Sequence, residues 1–206
     1  MGRLRFDGEI FGIGTYGGTR IVVGHWPRSH LGDLTDAMVE FPDGERLLIA
    51  PSEEVREFVS ATYNFDRTIV ADVSFASDDS RVVVSAGDLT VSFEIGSPTL
   101  LGRLLSFLPA AVITAPWFCV ISDPVARVFL RGVRTRGTAG GGRREYYGAR
   151  GQRRIQAASA TWRGKDLGDL TDVDPPVRFG FGSTPRRPSM TLITTTIDGL
   201  GQTDGQ

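Results

Sequence analysis

The sequence predicts a mainly-β protein: an antiparallel barrel or two-sheet sandwich, built from a duplicated three-stranded unit and carrying two short helices. Three observations support this expectation. Apolar residues recur at period two, as where Val91, Phe93 and Ile95 alternate with Thr90, Ser92 and Glu94. The chain's 26 glycines and 11 prolines punctuate these runs more densely than a helical bundle tolerates. Finally, the hexapeptide Leu-Gly-Asp-Leu-Thr-Asp occurs twice, at 31–36 and at 167–172.

Strands are expected over 9–14, 19–26, 37–41, 46–50, 68–75, 81–85, 90–95, 127–136, 143–149, 153–162, 177–182 and 189–197. Asp43-Gly44 between two apolar runs marks a hairpin. Gly12-Ile-Gly14-Thr-Tyr-Gly17 has the spacing of a dinucleotide-binding loop. Such a loop must open a helix, and the β-branched residues that follow predict a strand, so the motif reads as a hairpin turn.

Two helices interrupt the strands. Ser52 is a suitable N-cap for a helix over 53–63, with Glu53 and Glu54 at the positive end of its dipole. Val55, Phe58, Val59 and Thr62 give that helix one largely apolar face. Ser97-Pro98 is expected to start the second helix, whose leucines at 100, 101, 104, 105 and 108 run to Pro109. From Leu104 to Ile121 the chain carries no charge, which meets the length of a membrane span. Pro109 and Pro116 interrupt it, so it reads as a buried helix and a core segment rather than a transmembrane span. Contact of 100–121 with a membrane surface stays open.

With 206 residues, 40% of them hydrophobic, the chain suits one globular domain over 1–197. The apolar-poor residues 198–206 are expected to be a flexible tail. The repeat extends at a constant offset over 9–41 and 145–177, pairing Glu9 with Glu145, Phe11 with Tyr147, Gly12 with Gly148 and Trp26 with Trp162. Each copy is expected to supply a strand, a turn, a second strand ending in Trp, and a loop into a third.

The formal charge of −1 hides a segregation of sign. Residues 31–100 hold 14 acids against 4 arginines, whereas residues 127–165 hold 10 arginines and Lys165 against Glu145 alone. The Arg-rich 127–154 region, with Arg134, Arg136, Arg143 and Arg144, is the alternative site, for an anion or nucleic acid. A whole-chain pI near 6.1 disfavours nucleic acid.

One cysteine and two histidines exclude a disulfide, a cysteine-based zinc site and a three-histidine zinc. His25 and His30 match no standard metal-ligand spacing, so neither a metal nor a cofactor is expected. Cys119 sits among apolar neighbours that raise a thiol pKa and argue against a nucleophile. The opening residues lack the apolar core of a secretory leader, which predicts a cytoplasmic protein.

The function expected is the binding of a small apolar or amphipathic ligand in a barrel cavity, with weak acid/base activity as an extension. The polar contacts proposed for it are Glu9, His25, Arg28, His30, Glu145 and Tyr147. The histidines are placed there because the second repeat copy has Thr161 and Asp166 instead, so the scaffold does not require them. If the repeat axis passes through a barrel, Glu9 and Glu145 face one cavity and raise each other's pKa.

Overall fold

The structure is a computed structural model that describes residues 2–78, 80–115, 117–121, 136–138, 144–180 and 184–200. In chain order its elements are β1 (Gly2–Thr15), β2 (Arg20–Arg28), β3 (Leu34–Glu40), β4 (Arg46–Ala50), α1 (Glu53–Ser60), β5 (Arg67–Val70), β6 (Val73–Ser77), β7 (Arg81–Ala86) and β8 (Leu89–Pro98). They continue with α2 (Leu100–Ser106), α3 (Ala110–Ile113), β9 (Arg136–Thr138), β10 (Arg144–Trp162), β11 (Lys165–Asp166), β12 (Leu170–Thr171) and β13 (Ser189–Leu200).

The mainly-β expectation holds. The strands form one sheet in the order β5-β4-β3-β2-β1-β13-β10-β8-β7-β6, with β9, β11 and β12 pairing beside this path. Neighbours are antiparallel except β4 and β5, which α1 joins as a crossover. The sheet curls until β6 returns against β3, where the Phe75 ring stacks on His25 of β2. The face so enclosed buries the larger core, which includes Phe11, Val23, Val39, Ile49, Val84, Val91 and Phe93. Alternation sends Ile10, Val22, Tyr147 and Ile193 to the opposite face, where they pack with Val173, Val177 and Phe179. On that face α1 lays Val55 and Val59 against Leu34, Leu48 and Ala50.

The turns follow from local chemistry. Between β1 and β2, Gly18 adopts φ 83°, and Thr15 and Thr19 close the hairpin with backbone and hydroxyl hydrogen bonds. Ser52 caps α1 by accepting from the Val55 N–H at 3.3 Å.

Several expectations are corrected. The cap of α2 is Thr99, whose hydroxyl accepts from the Gly102 N–H at 2.9 Å, while Ser97 and Pro98 finish β8. Residues 143–149 and 153–162 do not form two strands, because β10 runs through both with a register shift between Ala149 and Gly151. The 68–75 run divides into β5 and β6, and 127–135 lies outside the described residues.

Within 177–180 there is no strand. That segment is tied down instead by Glu40, which accepts from the Arg178 backbone N–H at 2.8 Å and from its guanidinium at 2.6 Å. The segment expected to be a buried helix and core is largely exposed at Leu100, Leu104, Phe107, Trp117 and Ile121. Gly102 is the reason, for α2 rests on β10 through this glycine, so close that a Cβ there would lie 2.1 Å from the Gln152 carbonyl oxygen. Leu100 and Leu104 therefore turn outward, while Leu101 and Leu105 stay half-buried. No helix among the described residues is long and apolar enough to cross a membrane.

In the two hexapeptides Gly32 and Gly168 have φ of 85° and 91°, and each precedes a strand. Upstream the copies differ, since the turn over 16–19 has as its counterpart Gln152–Ile155, in the middle of β10. Those four residues include no glycine to supply the turn, so the strand continues.

Candidate functional site

Five adjacent strands and α1 line a cavity of about 60 Å³, half open to solvent, on the sheet face opposite the larger core. The wall is mostly apolar: Phe6 and Ile10 from β1, Val22 from β2, Leu34 and Met38 from β3, and Ile197 from β13. Val55, Phe58 and Val59 of α1 roof it. Thr62 and Tyr63 complete the roof just beyond the helix, where the Tyr63 N–H still bonds the Val59 carbonyl at 2.9 Å.

Two carboxyls stand in this apolar wall. Asp36 of β3 lies opposite Gly24 of β2 and is 2% exposed. Its Oδ1 accepts from the Trp26 indole N–H at 3.2 Å, and this bond passes over Gly24. A Cβ on that glycine would lie 2.6 Å from the indole nitrogen and 2.8 Å from Oδ1, so only glycine leaves the space. Asp36 Oδ2 is buried without a hydrogen-bond partner. Burial pushes the carboxyl up to about 7, with the indole N–H pulling the other way.

Glu145, two residues before Tyr147 on β10, sits opposite Ile197 of β13 and is also 2% exposed. Its Oε1 accepts from the Tyr63 hydroxyl at 3.2 Å, and that hydroxyl in turn meets the Tyr147 hydroxyl. Either hydroxyl can donate in the bond between the two phenols, and both phenols bond Glu145. Glu145 Oε2 is buried and unpartnered, as is the hydroxyl of Thr195, which lines the cavity from β13. Burial raises Glu145 to about 7 against the lowering effect of the two phenols. Tyr63 and Tyr147 are pushed well above the usual phenol range, first by burial and then by Glu145, and Asp36 adds to the effect at Tyr147. Glu145, Tyr63 and Tyr147 therefore act on one another, and Asp36 joins them through its effect on Tyr147.

The expected site residues divide between the two faces. Glu145 and Tyr147 line the cavity. His30 stands at its rim, edge-on to Phe6 at 5.1 Å and to Phe58 at 5.1 Å, and is itself exposed. Arg28 is exposed at the end of β2.

Glu9 and His25 pair in register and face the larger core, because the neighbouring Ile10 and Gly24 point into the cavity. His25 stacks on Phe75 with ring centroids 3.7 Å apart, and its Nδ1 bonds the Thr35 hydroxyl at 2.9 Å. Desolvation lowers its pKa. Glu9 is raised by burial, with Arg150 opposing. The two glutamates of the repeat thus face opposite sides of the sheet, and the expectation of one shared cavity is corrected.

Of the alternative anion-binding set, Arg134 and Arg143 lie outside the described residues, as do the side chains of Arg136 and Arg144. Cys119 is buried and pushed up to about 11, in line with its apolar neighbours. Lys165, the chain's single lysine, is exposed in the β10–β11 hairpin and does not line the cavity. Among the described residues no group of three metal-ligating side chains forms.

Sequence reasoning missed Asp36, Tyr63 and Thr195. The strand expected over 37–41 leaves Asp36 outside it, yet Leu34, Asp36 and Met38 alternate along one strand face. A lone carboxylate between two large apolar residues at period two was the available signal.

The fold and site define a mainly-β protein with a pair of buried carboxyls in an apolar cavity. No protein-family model matches the chain, and no curated protein matches it. Among solved structures it is similar to an acetoacetate decarboxylase from Legionella pneumophila, with 11% identity and a TM-score of 0.45 over 95% of this chain and 84% of that one. It is also similar to a protein described as an AttH from Nitrosomonas europaea, with 12% identity and a TM-score of 0.30. That match covers 97% of this chain, which spans about half of the other protein (53%). Neither likeness assigns an activity.

Proposed function

We propose that this protein binds a small amphipathic molecule in the cavity beneath α1, with Glu145, Tyr147, Tyr63 and Asp36 as its polar contacts. The observation that carries this reading is the coincidence of an apolar wall with three buried, unpartnered acceptor atoms: Asp36 Oδ2, Glu145 Oε2 and the Thr195 hydroxyl oxygen. Roughly nine in ten buried polar groups in folded proteins have a hydrogen-bond partner. Three of the nine unpartnered buried side-chain atoms among the described residues belong to this one cavity, where a ligand would complete the bonding. His30, at the rim, is placed to contact whatever extends outward.

The same carboxyls support weak acid/base chemistry on the bound molecule as a second reading. Groups that titrate near 7 can hold or release a proton at neutral pH. An inflection near pH 7 in any turnover, absent from Glu145→Gln, is its signature.

The binding reading is tested with N-phenyl-1-naphthylamine, a neutral probe that fluoresces in apolar surroundings. Wild-type protein is expected to enhance its emission saturably. Val59→Phe, which adds an aromatic ring to the roof, is expected to lose most of the enhancement while keeping its far-ultraviolet circular dichroism. Equal enhancement by both proteins contradicts the placement of the site.

A further inference from the structure

We infer that the ligand of this cavity is an organic amine bound as its cation, its ammonium held between Asp36, Glu145 and Thr195 and its apolar body against Phe6, Ile10 and Phe58. The inference rests on the binding reading above and names the class of molecule.

Charge is the first ground for it. Elsewhere in the same sheet a buried carboxyl is fully neutralised: Glu40, 0% exposed, pairs with Arg20 at 3.1 Å and with Arg178 at 2.6 Å. No ion pair among the described residues involves Asp36 or Glu145, and their side-chain donors are neutral, the Trp26 indole for Asp36 and the Tyr63 and Tyr147 phenols for Glu145. Two buried carboxyls without a cation are costly to ionise, and a bound cation offsets that cost.

The second ground is the count and kind of bonds. Each carboxyl has one oxygen fixed by a protein donor and the other unpartnered, and Thr195 adds a third acceptor. An ammonium group offers three N–H donors and accepts nothing, which matches three unpartnered acceptors. A carboxylate or phosphate ligand offers only further acceptors and negative charge.

Finally, the surroundings suit a cation. Trp26, Tyr63, Tyr147, Phe6 and Phe58 line the cavity, and aromatic faces attract a desolvated ammonium. Near-neutral carboxyls are what the pocket should have while that charge is missing; supplying it favours their ionised forms.

The test is calorimetric titration of the full chain with three probes of equal chain length: octylamine, 1-octanol and octanoate. Octylamine is expected to bind at least tenfold tighter than octanol, and octanoate weakest of all. In Glu145→Gln the preference for the amine over octanol should shrink tenfold or more. Octanol or octanoate binding as well as octylamine to the wild type overturns the inference and leaves the binding reading standing. Binding of none of the three overturns both.

Discussion

The Trp26 indole N–H and Asp36 Oδ1 meet at 3.2 Å across the bare backbone of Gly24. A strand residue without a side chain thus makes room for a buried carboxyl and its indole donor, and places both in the wall of the cavity.

Gly24→Ala should break this arrangement. The added methyl would lie under 3 Å from both partners, and neither the indole ring nor the short Asp36 side chain can move far inside a packed wall. A loss of about 1–3 kcal/mol is expected, as for other overpacked sites. Urea unfolding measures it, and the emission of Trp26 should shift to the red.

Stability should rise as the pH falls from about 8 towards 5. Asp36 and Glu145 have folded pKa values raised to about 7 from ordinary values of 3.8 and 4.5. Groups raised in this way bind protons more tightly when folded. Their contribution is complete below the unfolded values and is lost as the pH climbs through about 7. Every tenfold gain in proton affinity on folding is worth about 1.4 kcal/mol. His25 and His30 are lowered by burial and oppose the trend below their own ordinary values, so the informative quantity is a difference between proteins. The double variant Asp36→Asn, Glu145→Gln should be flatter between pH 5 and 8 in thermal melts than the wild type.

Glu40→Gln should behave in the opposite way to Glu145→Gln. Removing Glu40 strands the buried guanidinium of Arg20 and frees Arg178, which ties residues 177–180 to the sheet. Breaking a buried pair from one side costs about 3–5 kcal/mol. Removing the charge of Glu145, which has no ion-pair partner among the described residues, should leave the melting temperature equal or higher. Parallel melts of the two variants at pH 8 decide this.

His25→Ala should lower the melting temperature and leave probe binding in the cavity unchanged. Its ring fills the seam between β2 and β6 against Phe75, on the face away from the cavity. Loss of N-phenyl-1-naphthylamine binding in a folded His25→Ala protein contradicts this assignment of faces.

Much of the fold was legible because period-two alternation and turn chemistry are local. Val91, Phe93 and Ile95 identified β8, Asp43-Gly44 the β3–β4 hairpin, and Ser52 the start of α1. The course of β10 was hidden because Gly148 and Gly151 resemble turn residues, whereas a register shift against β13 absorbs the irregularity. The site was half legible. Glu145 and Tyr147 were found as neighbours at period two, but Glu9 was assigned to their cavity through sequence equivalence. Which face a residue takes depends on pairing: Glu9 goes with His25 towards Phe75, and Glu145 goes with Ile197 towards α1. Tyr63 and Asp36 lie 27 residues apart in sequence and line one cavity only once α1 folds back over β3.

The most direct measurement is native mass spectrometry of wild type and Val59→Phe, each incubated with octylamine and compared with its denatured mass. One amine per wild-type chain is expected, lost on denaturation, at a concentration where the roof-filled variant carries none. Equal loading of both proteins contradicts a ligand site beneath α1, and no loading of either contradicts an amine as its ligand.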